Sequence, residues 1–117
     1  NRSSDLAIYK VDEKIVVSEV ELGVGVKLTA STTDGAYEKH VPVIEHTGDF
    51  VTVKVGSVAH PMLDAHWIEW IVLETITGYQ KHDLKPGDIP EAHFAVTEPV
   101  VAAYEYCNLH GLWMAKA

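Results

Sequence analysis

Cysteine is nearly absent. Among 117 residues there is one, Cys107. No intramolecular disulfide is available, and no four-thiolate metal centre can form within these residues. A lone thiol fits a reducing compartment, so a cytoplasmic location is expected. Cations are scarce: nine Lys and Arg stand against seventeen Asp and Glu, for a net charge of −8. Such a chain repels nucleic-acid phosphate, and no nucleic-acid partner is expected. The same field repels small anions unless a local positive group overrides it. No apolar run reaches membrane-spanning length, so no membrane association is expected. The opening NRSSDLAIYK has no apolar core of the kind a secretion leader needs. Residues 1–36 contain no histidine, tryptophan, proline or cysteine, whereas all seven histidines lie between positions 40 and 110.

What is present is mostly strand-like. EKIVVSEV, VGVKLTAS, HVPVIE, FVTVKVGS, HWIEWIVLET, AHFAVT and VVAAYEYC are rich in Val, Ile and aromatics, and several alternate. TTDG, HTGD, TITG, KPGDIP and TEP separate them with turn chemistry. No segment holds a helical period. About seven short strands at this spacing predict an all-β fold, an immunoglobulin-like β-sandwich. The composition shift predicts two parts. Residues 1–36 read as an accessory strand region, and residues 37–117 as the domain that carries the chemistry.

Three histidines have ordinary explanations. His46 and His82 flank turns, and His93 lies in a strand-like run. Five other residues are harder to dismiss. His60 and His66 bracket PMLDA, where Pro61 keeps the chain extended. Cys107 and His110 bracket two residues at a strand end, a spacing that lets both side chains reach one metal. His40 follows the charged pair Glu38 and Lys39. A thiolate with several imidazoles suits iron, copper or zinc and not calcium or magnesium. A colourless zinc-stabilised binding module would use four of the five. A cupredoxin-like copper electron carrier would use His40 or His60 with Cys107, His110 and Met114, in an order similar to the blue-copper ligand loop. All five together suit a five-coordinate redox iron with one open position.

The runs EKHVPVI, KVGSVAHPMLDAHWIEWI and YEYCNLHGLW closely resemble the motifs of superoxide reductases, the desulfoferrodoxin and neelaredoxin group. The resemblance spans residues 37–115 and keeps the three motifs in order. It implies a mononuclear non-haem iron, Fe2+/Fe3+, with His40, His60, His66 and His110 in a plane and Cys107 axial. It further implies binding through Nε2 for the first three histidines and through Nδ1 for His110. The implied activity is one-electron reduction of superoxide to hydrogen peroxide. A rubredoxin-like electron donor and a homo-oligomer, dimer or tetramer, come with the same resemblance. In this reading Lys39 attracts the anion and Glu38 closes onto the oxidised iron; both are the expected catalytic residues. Asn108, Leu109 and Gly111 would shape the ligand loop, with Pro61 and Trp67 packing behind it. One departure is plain: two-iron members carry a four-cysteine lobe at the N-terminus, and residues 1–36 have no cysteine. That segment then resembles either a degenerate, metal-free remnant of the lobe or a simple extension.

Overall fold

A computed structural model describes residues 4–35 and 39–117. Among them there is no helix, and ten strands form three antiparallel sheets. The strands are β1 (Ala7–Val11), β2 (Lys14–Ser18), β3 (Val26–Lys27), β4 (Val43–Thr47) and β5 (Phe50–Lys54). They continue as β6 (Ile68–Thr75), β7 (Gly78–Asp83), β8 (Glu91–Ala95), β9 (Val100–Cys107) and β10 (Gly111–Lys116). The sheet orders are β2-β1-β3, β10-β9-β6-β7 and β4-β5-β8.

The last two sheets face each other and make the immunoglobulin-like β-sandwich expected from the sequence. Its seven strands are β4 to β10. Between them lie Val51, Val53, Ile71, Leu73, Ala92, Phe94, Ala103 and Cys107, one contiguous buried cluster. The third sheet, β2-β1-β3, covers the other face of β10-β9-β6-β7. There Ile8 packs with Trp70, Val72, Ala102, Tyr104 and Leu112. The central sheet is thus covered on both faces, which explains its composition. β6 and β9 read as nearly continuous apolar runs because successive side chains enter two different cores.

The sequence reading counted seven strand-like runs toward the sandwich; five of them lie there, while EKIVVSEV and VGVKLTAS supply β2 and β3 of the N-terminal layer. It missed β1, β7 and β10. β7 (GYQKHD) is a sheet edge with five exposed residues, so it shows no apolar alternation. VGVKLTAS keeps only the two paired residues of β3.

One irregularity aims the chain at the functional end. β6 pairs with β9 as Ile68↔Cys107 and then Trp70↔Tyr106, a register shift of one residue. Such a bulge reverses which face successive side chains take. Ile68 consequently lies in the same core as Ile71 and Leu73, while Trp70 lies in the opposite one. The turn from β9 to β10 is equally specific. Cys107 pairs with Gly111 across a three-residue loop, and Gly111 has φ of 81°, which glycine adopts without steric cost.

Candidate metal centre

Three separate segments bring five donor side chains to one end of the sandwich. His40 comes from the stretch before β4. His60 and His66 come from the β5–β6 connection. Cys107 ends β9, and His110 closes the β9–β10 turn. Each offers one donor atom, and these five atoms all lie within 4.8 Å of one another.

The imidazoles form a closed ring. Centroid separations run 4.6 Å for His40–His60, 4.7 Å for His60–His66, 5.0 Å for His66–His110 and 4.9 Å for His110–His40. Every adjacent pair is edge-to-face, with interplanar angles of 63°, 83°, 75° and 76° in the same order. His40 thus stands opposite His66, and His60 opposite His110. The Cys107 sulfur is buried and lies 3.8 Å from both His60 Nε2 and His110 Nδ1.

Local hydrogen bonds fix each donor. His60 N–H donates to the Val55 carbonyl at 2.8 Å, and its ring Nδ1 lies 2.7 Å from the Pro61 carbonyl. A carbonyl only accepts, so Nδ1 carries the hydrogen and Nε2 keeps its lone pair for the centre. The His66 loop is closed by paired backbone bonds between Leu63 and His66, at 2.9 and 3.0 Å. Asn108 ties the two ligand loops together. Its Oδ1 accepts Trp67 N–H at 2.9 Å, and its Nδ2 donates to the Ala65 carbonyl at 3.0 Å. The inward nitrogens are Nε2 of His40 and His60, which face each other at 3.0 Å, and Nδ1 of His110, which faces the sulfur. His66 Nε2 is buried.

This set fits a first-row transition metal. Two nitrogens at right angles around an ion about 2.1 Å away stand about 3.0 Å apart, which is the His40–His60 separation. Imidazole and thiolate donors select iron, copper or zinc over hard oxygen-seeking ions. His40, His60 and Cys107 are buried, His66 is half-buried and His110 is exposed, so the cluster opens to solvent on the His66–His110 side.

Other residues singled out in the sequence lie elsewhere. His46 is exposed on β4, His82 packs edge-on near Phe94, and His93 sits between Glu91 and Thr52 at 3.0 and 2.9 Å. Met114 packs into the core of the opposite face of the central sheet, away from the five donors. The copper ligand set that included it is therefore not assembled. Lys39 is half-buried beside His40. Its carbonyl is pressed on Gly56, where an added Cβ would lie 2.6 Å away. Glu38 lies outside the described residues.

Three neighbours escaped the sequence reading. Asp34 Oδ1 accepts the backbone N–H groups of His40 and Val41 at 2.5 and 2.9 Å. Trp113 stacks on the His40 ring, with centroids 4.6 Å apart and planes 15° apart, and its Nε1–H donates to the His110 carbonyl at 3.1 Å. Glu105, two residues before Cys107, is fully buried, and neither carboxyl oxygen has a hydrogen-bond partner among the described residues. Burial, and secondarily the Asp34 carboxylate, push Glu105 well above the usual carboxyl range and toward its neutral form. The signal for Asp34 was the TTDG turn, and for Trp113 the end of the YCNLHGLW run, but sequence distance alone links neither to His40.

Fold and donor set together define a class: β-sandwich proteins whose loop end carries four imidazoles and one thiolate suited to a single transition metal. The desulfoferrodoxin family profile matches residues 32–116. The desulfoferrodoxin of Nitratidesulfovibrio vulgaris is 59% identical over 86 residues, which cover 74% of this chain and 68% of that protein. The superoxide reductase of Pyrococcus abyssi is 35% identical over 107 residues, covering 74% of this chain and 92% of its own. Among solved structures, the superoxide reductase from Treponema pallidum superposes with a TM-score of 0.83 at 38% identity, covering 95% of this chain and 98% of that one. The chain belongs to the desulfoferrodoxin family.

Proposed function

We propose that this chain is a superoxide reductase. The observation that carries the reading is the closed ring of four imidazoles with a buried thiolate among them. The overall reaction takes one superoxide, one electron and two protons to hydrogen peroxide. In this reading His40, His60, His66, His110 and Cys107 would hold iron, which would supply the one-electron couple. Three features of the donor set support iron. The thiolate is an electron-rich donor, the four imidazoles are neutral, and five donors leave room for a small anion.

The protein's own groups do the rest. Cys107 is buried with no exposed edge, so its thiolate is shielded from oxidants and kept on the metal. As a ligand, the thiolate would donate electron density to the iron. The half-open side at His66 and His110 admits superoxide and the water that delivers protons. Lys39 provides the local cation that an acidic chain needs to capture an anion. Glu38 is the carboxylate that would occupy the open position after turnover. His60 is locked in one tautomer by Pro61, so its donor nitrogen is always available.

The electron donor in this reading is a rubredoxin-like protein, as the resemblance to superoxide reductases implies. The assembly is a homo-oligomer and the location cytoplasmic. Residues 1–36 form the accessory part, and residues 37–117 the iron-binding part. No helix among the described residues is long and apolar enough to cross a membrane.

Metal analysis with a visible spectrum of the oxidised protein tests the proposal. One iron per chain with a red thiolate-to-ferric band, and superoxide consumed without oxygen release, is the expected result. Stoichiometric zinc in a colourless protein, or a blue copper spectrum, would overturn it.

A further inference from the structure

The five donors are not held alike. His60 is anchored through its own ring, His66 through a bridged loop, and Cys107 and His110 through a hairpin closed at Gly111 and laced by Asn108. His40 is held from two other residues. It lies outside any strand, three residues before β4. Its backbone is held from Asp34, six residues upstream, whose single oxygen Oδ1 accepts the N–H of both His40 and Val41. Its ring lies against Trp113, nearly parallel at 4.6 Å. Trp113 in turn donates to the carbonyl of His110, the next imidazole round the ring.

We propose that Asp34 and Trp113 are positioning residues for His40: Asp34 clasps its backbone, and Trp113 sets the plane of its imidazole relative to His110. The idea rests on the five-donor reading given above. The clasp works by geometry. A carboxylate oxygen accepting two successive N–H groups fixes the peptide planes on both sides of His40 and so fixes the direction in which its side chain leaves the chain. The stack removes the remaining freedom about the ring's own axis, which decides whether Nε2 faces the centre. Gly56 supports the same segment from behind, because any side chain there would strike the Lys39 carbonyl at 2.6 Å. Outer partners of this kind typically change metal affinity by about 10–100-fold.

The test is a double-mutant cycle on metal-free protein loaded with Zn2+ or Co2+, which needs no turnover. Zinc affinity is read by competition with a chromophoric chelator, and coordination by the visible bands of Co2+. Asp34→Ala is expected to weaken zinc by about 10–100-fold and to shift the Co2+ bands toward those of His40→Ala. Asp34→Asn should restore most of the affinity, because an amide oxygen accepts the same two N–H groups. In a His40→Ala background, Asp34→Ala should cost almost nothing further, since both changes act on one donor. Trp113→Leu is run through the same cycle and should behave likewise, so that misfolding of either variant leaves the other to decide. Full additivity in the His40→Ala background, or an Asp34→Asn variant as poor as Asp34→Ala, would overturn the clasp. His40→Ala binding zinc as tightly as the parent would instead overturn the donor set itself.

Discussion

The two faces of the β6–β9 pair are built from alternate residues of the same two strands, yet they do different work. One face sends Ile71, Leu73, Ala103 and Cys107 into the sandwich and ends at the donor cluster. The other sends Trp70, Val72, Ala102 and Tyr104 under the N-terminal layer. Tyr104 hydrogen-bonds Ser4, and the Glu74 carboxylate accepts Asp5 N–H at 2.9 Å, so polar groups pin the start of the described chain to this face. Reactive side chains collect on the first face, and anchoring contacts on the second. The thiol joins the donors because alternation along β9 puts Cys107 on the same face as Ala103, and the β6 bulge turns Ile68 toward that face beside it.

The comparison breaks most completely at Cys107. Cys107→Ser should abolish the thiolate-to-ferric band and reduce superoxide consumption by about 100-fold or more, since loss of a donor should exceed what outer partners cost. A serine variant that kept the band on visible spectroscopy would exclude the sulfur as ligand. Next come paired core truncations. Leu73→Ala on the donor face and Ile8→Ala in the N-terminal layer should each lose about 2–5 kcal/mol by denaturant unfolding. Ile8→Ala should nonetheless keep the ferric band unchanged. A band lost with Ile8 would mean that the outer layer shapes the site directly.

Smaller effects sharpen the contrast. A unit charge about 6 Å from the anion, at an effective dielectric of roughly 20 to 80, contributes about 0.7–3 kcal/mol. Lys39→Ala should therefore slow superoxide capture by roughly three- to a hundredfold, with Lys39→Arg keeping most of the rate. Salt should slow the parent more than Lys39→Ala, because screening acts on an attraction the variant lacks. Stopped-flow rates across a salt series check this; equal slopes would make Lys39 an ordinary surface lysine. The smallest effects belong to His46→Ala, His82→Ala and His93→Ala. Each should leave the band intact and shift stability by no more than about 0.5 kcal/mol, because none lies among the five donors. Iron loss in any of the three would redraw the ligand set.

Particular elements show what was legible. The three motif runs exposed all five donors, because metal chemistry restricts them to His and Cys and spacing keeps them near strand ends. β5, β6, β8 and β9 announced themselves through Val, Ile and aromatic content. β7 was invisible because an edge strand with five exposed residues has no buried face to pattern. β10 was hidden because apolar side chains occupy both of its faces, Leu112 on one and Trp113 on the other, so the run shows no polar–apolar alternation. Met114 looked like a copper ligand in the linear order and proved to point into the other core.

The sequence by itself determined the kind of centre, since donor chemistry belongs to residue type: one thiolate, several imidazoles and an acidic chain with a lysine beside His40. Only the tertiary structure decided the arrangement. Closure of the imidazole ring needs His40, His60, His66 and His110 to converge from chain positions up to seventy residues apart (110 − 40 = 70). The choice of Nδ1 as the hydrogen-bearing nitrogen of His60 needs the Pro61 carbonyl at 2.7 Å. The hold on His40 needs Asp34 and Trp113, which lie 6 residues before it and 73 residues after it in the chain (40 − 34 = 6; 113 − 40 = 73). Residue type fixes which atoms are able to bind a metal, but their relative positions are set by packing and strand register, which no local stretch of chain encodes.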